Sequence, residues 1–121
     1  MVARQRQAQQ QPRVADRLAG QQAEHAIEAV QGLDDLADAV LALRTRDEAR
    51  RFLRDLCTLP ELEALAHRWQ TARLVDRGVP YLEIADRVPT STATVTRVAQ
   101  WLRHGTGGYR IVLDRQRRRR S

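Results

Sequence analysis

The side chains best suited to chemistry with another molecule lie between residues 91 and 103, where hydroxyl, amide and guanidinium groups alternate with small residues. Hydroxyls bond phosphates and base edges, Arg and Gln reach bases, and a threonine methyl can meet the methyl group of thymine. Small side chains also let a helix enter a major groove about 12 Å wide. The pattern predicts contact with double-stranded DNA through Ser91, Thr92, Thr94, Thr96, Arg97, Gln100 and Arg103.

A helix-turn-helix over residues 81–102 would present these side chains. Two short helices that cross steeply need a small set of apolar inner residues. Alanine at position 85 fits the point of closest approach, where a larger side chain would push the helices apart. An ordinary helix pair with a solvated Ser/Thr face remains the competing interpretation. The inner residues at the required spacing are Ile84, Ala85, Val88, Val95 and Val98.

The turn of this motif departs from the usual pattern at Pro89. The position commonly holds glycine with a positive φ, which proline cannot adopt because its ring holds φ near about −65°. We therefore expect the turn to have a different shape or to contain a break. This irregularity keeps open a second function, that of a protein-interaction module docking on the transcription machinery.

Further helices are predicted on both sides of the motif, and no stretch alternates as a β-strand would. Thr45 with Glu48, and Thr58 with Glu61, have the spacing of capping boxes that begin two of these helices. Apolar residues recur at helical spacing after each cap. The additional helices are predicted over residues 33–44, 46–57, 59–77 and 109–115, so the fold class is all-α.

The net charge of +6 is concentrated at the two ends of the chain, and all 21 basic residues are arginine. Residues 1–17 carry +3 and residues 115–121 carry +5, whereas residues 18–114 carry −2. Basic ends suit phosphate binding, although such runs can also serve only as solubilising tails. Three parts are predicted: a disordered or weakly helical arm (1–30), a helical DNA-binding domain (31–114) and a disordered basic tail (115–121).

No constellation of residues supports catalysis, a metal site or a cofactor. The single cysteine, Cys57, excludes an internal disulfide and a cysteine-built metal site. His25, His67 and His104 lack partners at ligand spacing. No apolar stretch approaches the roughly 18 residues of a membrane span, and the Gln-rich start lacks an apolar signal-peptide core. We expect a cytoplasmic protein that is not an enzyme.

With the motif placed, the chain resembles the Trp repressor superfamily, and within it the YerC/YecD-type Trp-repressor-related proteins. The resemblance covers roughly residues 33–114. The segment STATVTRV, followed by a Gly-Tyr pair, is its most specific part. The matching stretches are residues 58–68, 81–85, 91–98 and 108–109.

The resemblance implies a Trp-repressor-like multi-helix bundle with a helix-turn-helix, built as an intertwined homodimer whose N-terminal helices interlock. Each subunit would offer one recognition helix, and two-fold symmetry would place half-sites about one DNA turn apart, as in Trp repressor itself. The implied function is a sequence-specific transcriptional regulator, in the sense of a repressor.

The tryptophan switch of that family is not expected here. Arg68 and Arg97 match the two arginines that contact the corepressor, and Thr58 matches a residue lining its pocket, so these three mark a remnant ligand pocket. Val98, however, stands where Trp repressor has glycine, and Trp101 where it has serine. Both side chains are expected to fill the pocket from within, so we expect no tryptophan binding.

Overall fold

The structure, a computed structural model, describes residues 17, 21, 22 and 26–120. Helices account for most of these residues and no β-strand occurs among them, which confirms the all-α fold class. The predicted N-terminal arm lies largely outside the described residues. From residue 30 onward the helices are Leu33–Ala42 (α1), Arg46–Leu56 (α2), Leu59–Asp76 (α3), Tyr81–Arg87 (α4), Thr92–His104 (α5) and Gly108–Arg120 (α6).

Local hydrogen bonds fix the starts of α2 and α3. The Glu61 amide donates to Thr58 Oγ1 (3.2 Å) and the Thr58 amide donates to Glu61 Oε1 (3.0 Å), which confirms the capping box of α3. At α2 the Glu48 amide donates to Thr45 Oγ1 (3.1 Å), as predicted. The Glu48 carboxylate, however, accepts from the amide of Arg44 (2.9 Å), one residue before the cap, so this box is displaced by one position.

A left-handed glycine ends α3. Gly78 has φ +81°, a conformation that side chains with a Cβ rarely adopt, and its amide donates to the carbonyl of Val75 (3.0 Å). The next amide, that of Val79, donates back to the carbonyl of Leu74 (3.1 Å). These bonds satisfy carbonyls at the end of α3 and turn the chain into α4.

The contacts of the chain divide it into two compact units. One consists of residues 30–99, and the other contains residues 100–120 together with the described residues before 30. In the first unit, α3 contacts both α2 and α4. Its buried apolar side chains all lie on the second half of α3, on α4, at the end of α4, or on the first half of α5: Ala72, Val75, Ile84, Val88, Val95, Val98 and Ala99.

The helix α6 is longer than expected. A helix was predicted over residues 109–115 with a disordered tail after it, but α6 runs from Gly108 to Arg120. The prediction of a disordered tail is therefore wrong for residues 115–120. Arginine is a good helix former, and positive charge in the last turn interacts favourably with the helix dipole, so the Arg run extends the helix that Leu113 anchors.

Candidate DNA interface

The helix-turn-helix has the inner face that the sequence predicted. Ile84 and Val95 are fully buried, and Val88 and Val98 are nearly so. Ala85 is only partly buried. The first helix of the motif, α4, covers the predicted residues 81–87, and α5 begins directly after the predicted cap Ser91. Burial of branched side chains on both helices holds the outer face of α5 in one orientation.

The turn between the two helices begins with a residue in an extended conformation. Val88 has φ −111° and ψ 133°, and none of the described residues with a positive φ lies between 88 and 91. A proline disfavours the helical conformation for the residue before it, and this drives Val88 into the β region. The sequence-based expectation of a differently shaped turn at Pro89 is confirmed.

The N-terminus of α5 is capped by two hydroxyls. The Thr94 amide donates to Ser91 Oγ (3.1 Å), and Ser91 Oγ lies 3.1 Å from Thr94 Oγ1. Ser91 is exposed and Thr94 is half-buried. These two residues therefore position the helix end, where by helix geometry the amides of Thr92 and Ala93 lack intrahelical acceptors and suit a phosphate oxygen.

Thr96 and Thr92 present different chemistry at the exposed face. Thr96 Oγ1 donates its proton to the carbonyl of Thr92 (3.0 Å), so the hydroxyl of Thr96 retains only acceptor capacity, beside an exposed methyl group. The hydroxyl oxygen can therefore accept from the amino group of adenine or cytosine, and the methyl group can contact the methyl group of thymine. The Thr92 hydroxyl forms no hydrogen bond with any residue that the structure describes, so it can donate to a phosphate.

The predicted longer side chains of the interface are exposed. Arg97 makes one long hydrogen bond, from Nη2 to Thr94 Oγ1 (3.4 Å), which leaves most of its donors available. Gln100 and Arg103 continue α5 into the second unit, and both are exposed. Each long side chain can therefore extend to a base edge or a phosphate without first breaking a short ion pair.

The three residues of the predicted remnant ligand pocket lie apart along the chain. Thr58 is committed to the cap of α3, and Arg68 lies ten residues further along the same chain. Ten residues of helix span about 15 Å between Cα atoms, so the two side chains do not contact each other directly unless the long Arg68 side chain and a ligand together bridge that distance. Arg97 lies on α5, and among the described residues no hydrogen bond joins it to either of the others.

Val98 and Trp101 occupy different environments. Val98 is only 4% exposed, as expected for a side chain that fills space behind the recognition helix. Trp101, in contrast, is 56% exposed, so its indole does not fill the interior of the single chain, and the expectation that it fills the ligand pocket stays a prediction. The Trp101 ring lies over the end of α5, where a Cβ at Gly105 would be 2.9 Å from Cε3. The absent side chain at Gly105 accommodates the ring.

An open groove lies between α2 and α3 within the first unit. Its floor is apolar, and its rim on α2 carries charges of both signs, including an Arg51 Nε to Asp47 Oδ2 ion pair of 2.9 Å. Sequence reasoning found the apolar stripes of both helices but did not single out the rim, whose signal is three arginines at helical spacing. The lining residues are Asp47, Arg50, Arg51, Leu53, Arg54, Asp55, Leu62, Leu65, Ala66 and Trp69.

Other kinds of site find no support in the part of the chain that the structure describes. Three or more His, Cys, Asp or Glu side chains never gather there as metal ligands would. The described helices are also all too short or too polar to cross a membrane.

The architecture and the motif agree with what this chain is similar to. The family model of the Trp repressor protein matches residues 31–117. The chain therefore belongs to the Trp repressor family, a family of helix-turn-helix DNA-binding regulators.

Individual relatives agree with this placement. The chain is 40% identical over 83 residues to YerC of Bacillus subtilis (strain 168), described as uncharacterized, and the match covers 69% of this chain and 80% of YerC. A TrpR-like protein from Eubacterium eligens ATCC 27750 superposes with a TM-score of 0.68 at 36% identity, covering 73% of this chain and 91% of the other. A candidate Trp repressor from Staphylococcus aureus gives 0.69 at 39% identity, with 75% and 93% covered.

Proposed function

We propose that this protein is a sequence-specific DNA-binding transcriptional regulator, acting as a repressor when it occupies a promoter. The observation that carries the proposal is the exposed polar face of α5, supported from behind by the buried residues Ile84, Val95 and Val98. Base reading is assigned to Thr96, Arg97 and Gln100. Phosphate binding is assigned to Ser91, Thr92, Thr94 and the amides at the start of α5, with Arg103 adding backbone affinity. We propose that the protein is located in the bacterial cytoplasm, because promoter DNA is found there.

A homodimer is part of the proposal. The helices α1 and α2 contain no buried residue, and apolar side chains such as Leu41 (81% exposed) and Leu65 (43% exposed) are left uncovered. We assign a second copy of the chain to the groove between α2 and α3. The rim carries acids and arginines together, so the same surface is complementary to itself, as a two-fold interface requires.

No response to tryptophan is proposed. The side chain of Val98 is buried behind α5, where a ligand ring would need space. Titration calorimetry should therefore show no saturable binding of L-tryptophan. Saturable binding that also tightens affinity for DNA would overturn this part of the proposal.

Selection of bound sequences from random duplexes tests DNA reading directly. The selected duplex is then used in gel shifts with Arg97→Ala and with the control Arg46→Ala, an exposed arginine in the first turn of α2. Loss of a base contact should cost Arg97→Ala about 10- to 100-fold in affinity, while Arg46→Ala stays within about threefold of the parent.

The alternative function, a protein-interaction module, gives a different result in the same experiment. Such a module would select no sequence from the random pool, and Arg97→Ala would bind duplexes as the parent does. Either result would refute the proposed base-reading role of α5.

A further inference from the structure

Thr96 differs from the other hydroxyl residues of α5 in what its side chain bonds. Its Oγ1 donates to the carbonyl of Thr92, 3.0 Å away on the preceding turn of the helix. The hydroxyls of Ser91 and Thr94, in contrast, bond each other at the start of α5. A bond from Oγ1 to a backbone carbonyl restricts rotation of a threonine side chain in a helix. The direction of the Cγ2 methyl group of Thr96 is therefore fixed as well.

The same kind of bond occurs at Thr71, which shows how such a side chain behaves. Thr71 Oγ1 donates to the carbonyl of His67 (2.7 Å), and Thr71 is buried in a core whose other described members are apolar. The hydroxyl is tolerated there because its proton is already bonded within the helix. At the exposed Thr96, a binding partner therefore meets a side chain that resembles valine more than serine.

The surface beside Thr96 leaves its methyl group accessible. Ala93 lies three residues earlier, so the two Cβ atoms are about 5–6 Å apart on one face of α5. Both residues are exposed, and Ala93 has no side-chain atom beyond Cβ that would keep a base edge away. The amino group of adenine or cytosine fits less well at Thr96, because the Oγ1 atom that would accept from it is held against the backbone of the preceding turn.

We propose that the Cγ2 methyl group of Thr96 determines specificity for a 5-methylpyrimidine, meaning thymine or 5-methylcytosine, in the DNA site. This inference rests on the proposed function and assigns one group in the major groove to one atom of α5. The C5 methyl group of thymine projects into that groove, and contact between two methyl groups removes apolar surface from water. Cytosine methylated at C5 carries the same group at the same place, so binding should also respond to methylation there.

Removal of single methyl groups from the DNA and from the protein tests this contact. In the duplex selected from the random pool, each thymine is replaced in turn by uracil, which pairs with adenine but lacks the methyl group. At the thymine that responds, a cytosine–guanine pair is compared with a 5-methylcytosine–guanine pair. Every duplex is titrated in gel shifts at one salt concentration, with the full-length parent and with two variants.

The two variants separate the methyl group of Thr96 from its hydroxyl. Thr96→Ser keeps the hydroxyl and removes the methyl group. Thr96→Val is the matched control, because it keeps the methyl group and removes the hydroxyl. Ser and Val are close to Thr in helix propensity, and thermal melting first shows that both variants keep the parent midpoint.

The parent should bind one of the uracil duplexes about fourfold more weakly than the thymine duplex, the effect expected for one buried methyl group. It should prefer 5-methylcytosine to cytosine at that position by a similar factor. Thr96→Val should keep both preferences, whereas Thr96→Ser should bind the thymine and uracil duplexes equally.

Other outcomes separate this inference from the proposed function. A parent that selects a sequence but tolerates every uracil replacement would overturn the inference and leave the proposed function intact. The inference would also be overturned if Thr96→Ser kept the preference for thymine and Thr96→Val lost it, because the hydroxyl would then be the reading group. A parent that selects no sequence would refute the proposed function, and this inference with it.

Discussion

Residues 71–99 and residues 33–70 belong to the same compact unit but are stabilised in different ways. The first of these segments buries apolar side chains from three helices, and Ala72, Ile84 and Val95 are fully buried. In the second segment every residue is half-buried or exposed. It is held by backbone helix bonds, by hydroxyl caps at Thr45 and Thr58, and by the exposed ion pair of Arg51 with Asp47.

This difference in burial indicates which interactions stabilise each segment. Exposed caps and ion pairs contribute about 1 kcal/mol or less each, whereas burial of one large aliphatic side chain contributes about 2 kcal/mol. The helix-turn-helix therefore carries its own core. The segment of α1, α2 and the front of α3 leaves apolar side chains uncovered, which is the physical basis for proposing a second copy in its groove.

The largest effect is expected from opening the core behind the recognition helix. Ile84→Ala removes a fully buried side chain, and a cavity of this kind should lower the free energy of unfolding by about 3 kcal/mol. Urea denaturation measures the change. The control Leu82→Ala alters a side chain on the same helix that is 75% exposed, and it should cost less than about 0.5 kcal/mol. Equal losses in the two variants would contradict the assignment of the core.

A charge in the groove tests the other segment, residues 33–70, because it should weaken association between two copies of the chain rather than disturb the buried core. Leu65→Asp places a carboxylate on the apolar floor, where a partner would have to bury it, and should raise the dimer dissociation constant at least about 100-fold. Sedimentation equilibrium over a range of protein concentrations measures this. Leu82→Asp, outside the groove, is the matched control and should leave the association unchanged. A monomeric parent chain, or equal effects of both variants, would refute the dimer assignment.

The smallest effect concerns the cap that holds the front of α3. The hydrogen bond from the amide of Thr58, and to a lesser extent the Thr58 hydroxyl, hold the pKa of Glu61 below its ordinary value. A group whose pKa is lowered by folding stabilises the protein above its unfolded pKa, and this contribution is lost as the pH falls through the folded value. The stabilisation should therefore be complete at neutral pH and should disappear below about pH 4.5.

Comparison of the parent with Glu61→Gln isolates this contribution, since Gln keeps an acceptor at the cap but does not titrate. The difference in the free energy of unfolding between the two should be constant from about pH 6 to 8 and should shrink at acid pH. When both proteins also carry Thr58→Ala, the pH-dependent part of this difference in the free energy of unfolding should be smaller. A difference that stays constant down to about pH 3 would show that the carboxylate charge plays no part in the cap.

Several features of the fold could be predicted from local sequence because they depend on neighbouring residues. The capping box of Thr58 and Glu61 and the irregular turn at Pro89, with Val88 extended, each involve residues within a few positions of one another. The inner set of the helix-turn-helix was predictable for the same reason. The prediction that was wrong, a disordered tail after residue 114, concerned the continuation of a helix, and the exposure of Trp101 in the single chain depends on its tertiary surroundings.

The features of the candidate site fall into the same two groups, those set by neighbouring residues and those set by tertiary structure. The sequence alone determined which residue types α5 carries, that Ser91 begins it and that a helix-turn-helix presents it, because helical spacing and capping are local properties. Only the tertiary structure showed that the Thr96 hydroxyl donates its hydrogen bond to the carbonyl of Thr92. It also decided that Val98 is buried while Trp101 is exposed, and that α2 and α3 leave an open groove between them. Burial and hydrogen-bond partners depend on residues distant along the chain, and the spacing of residues in a sequence does not specify how those distant residues meet.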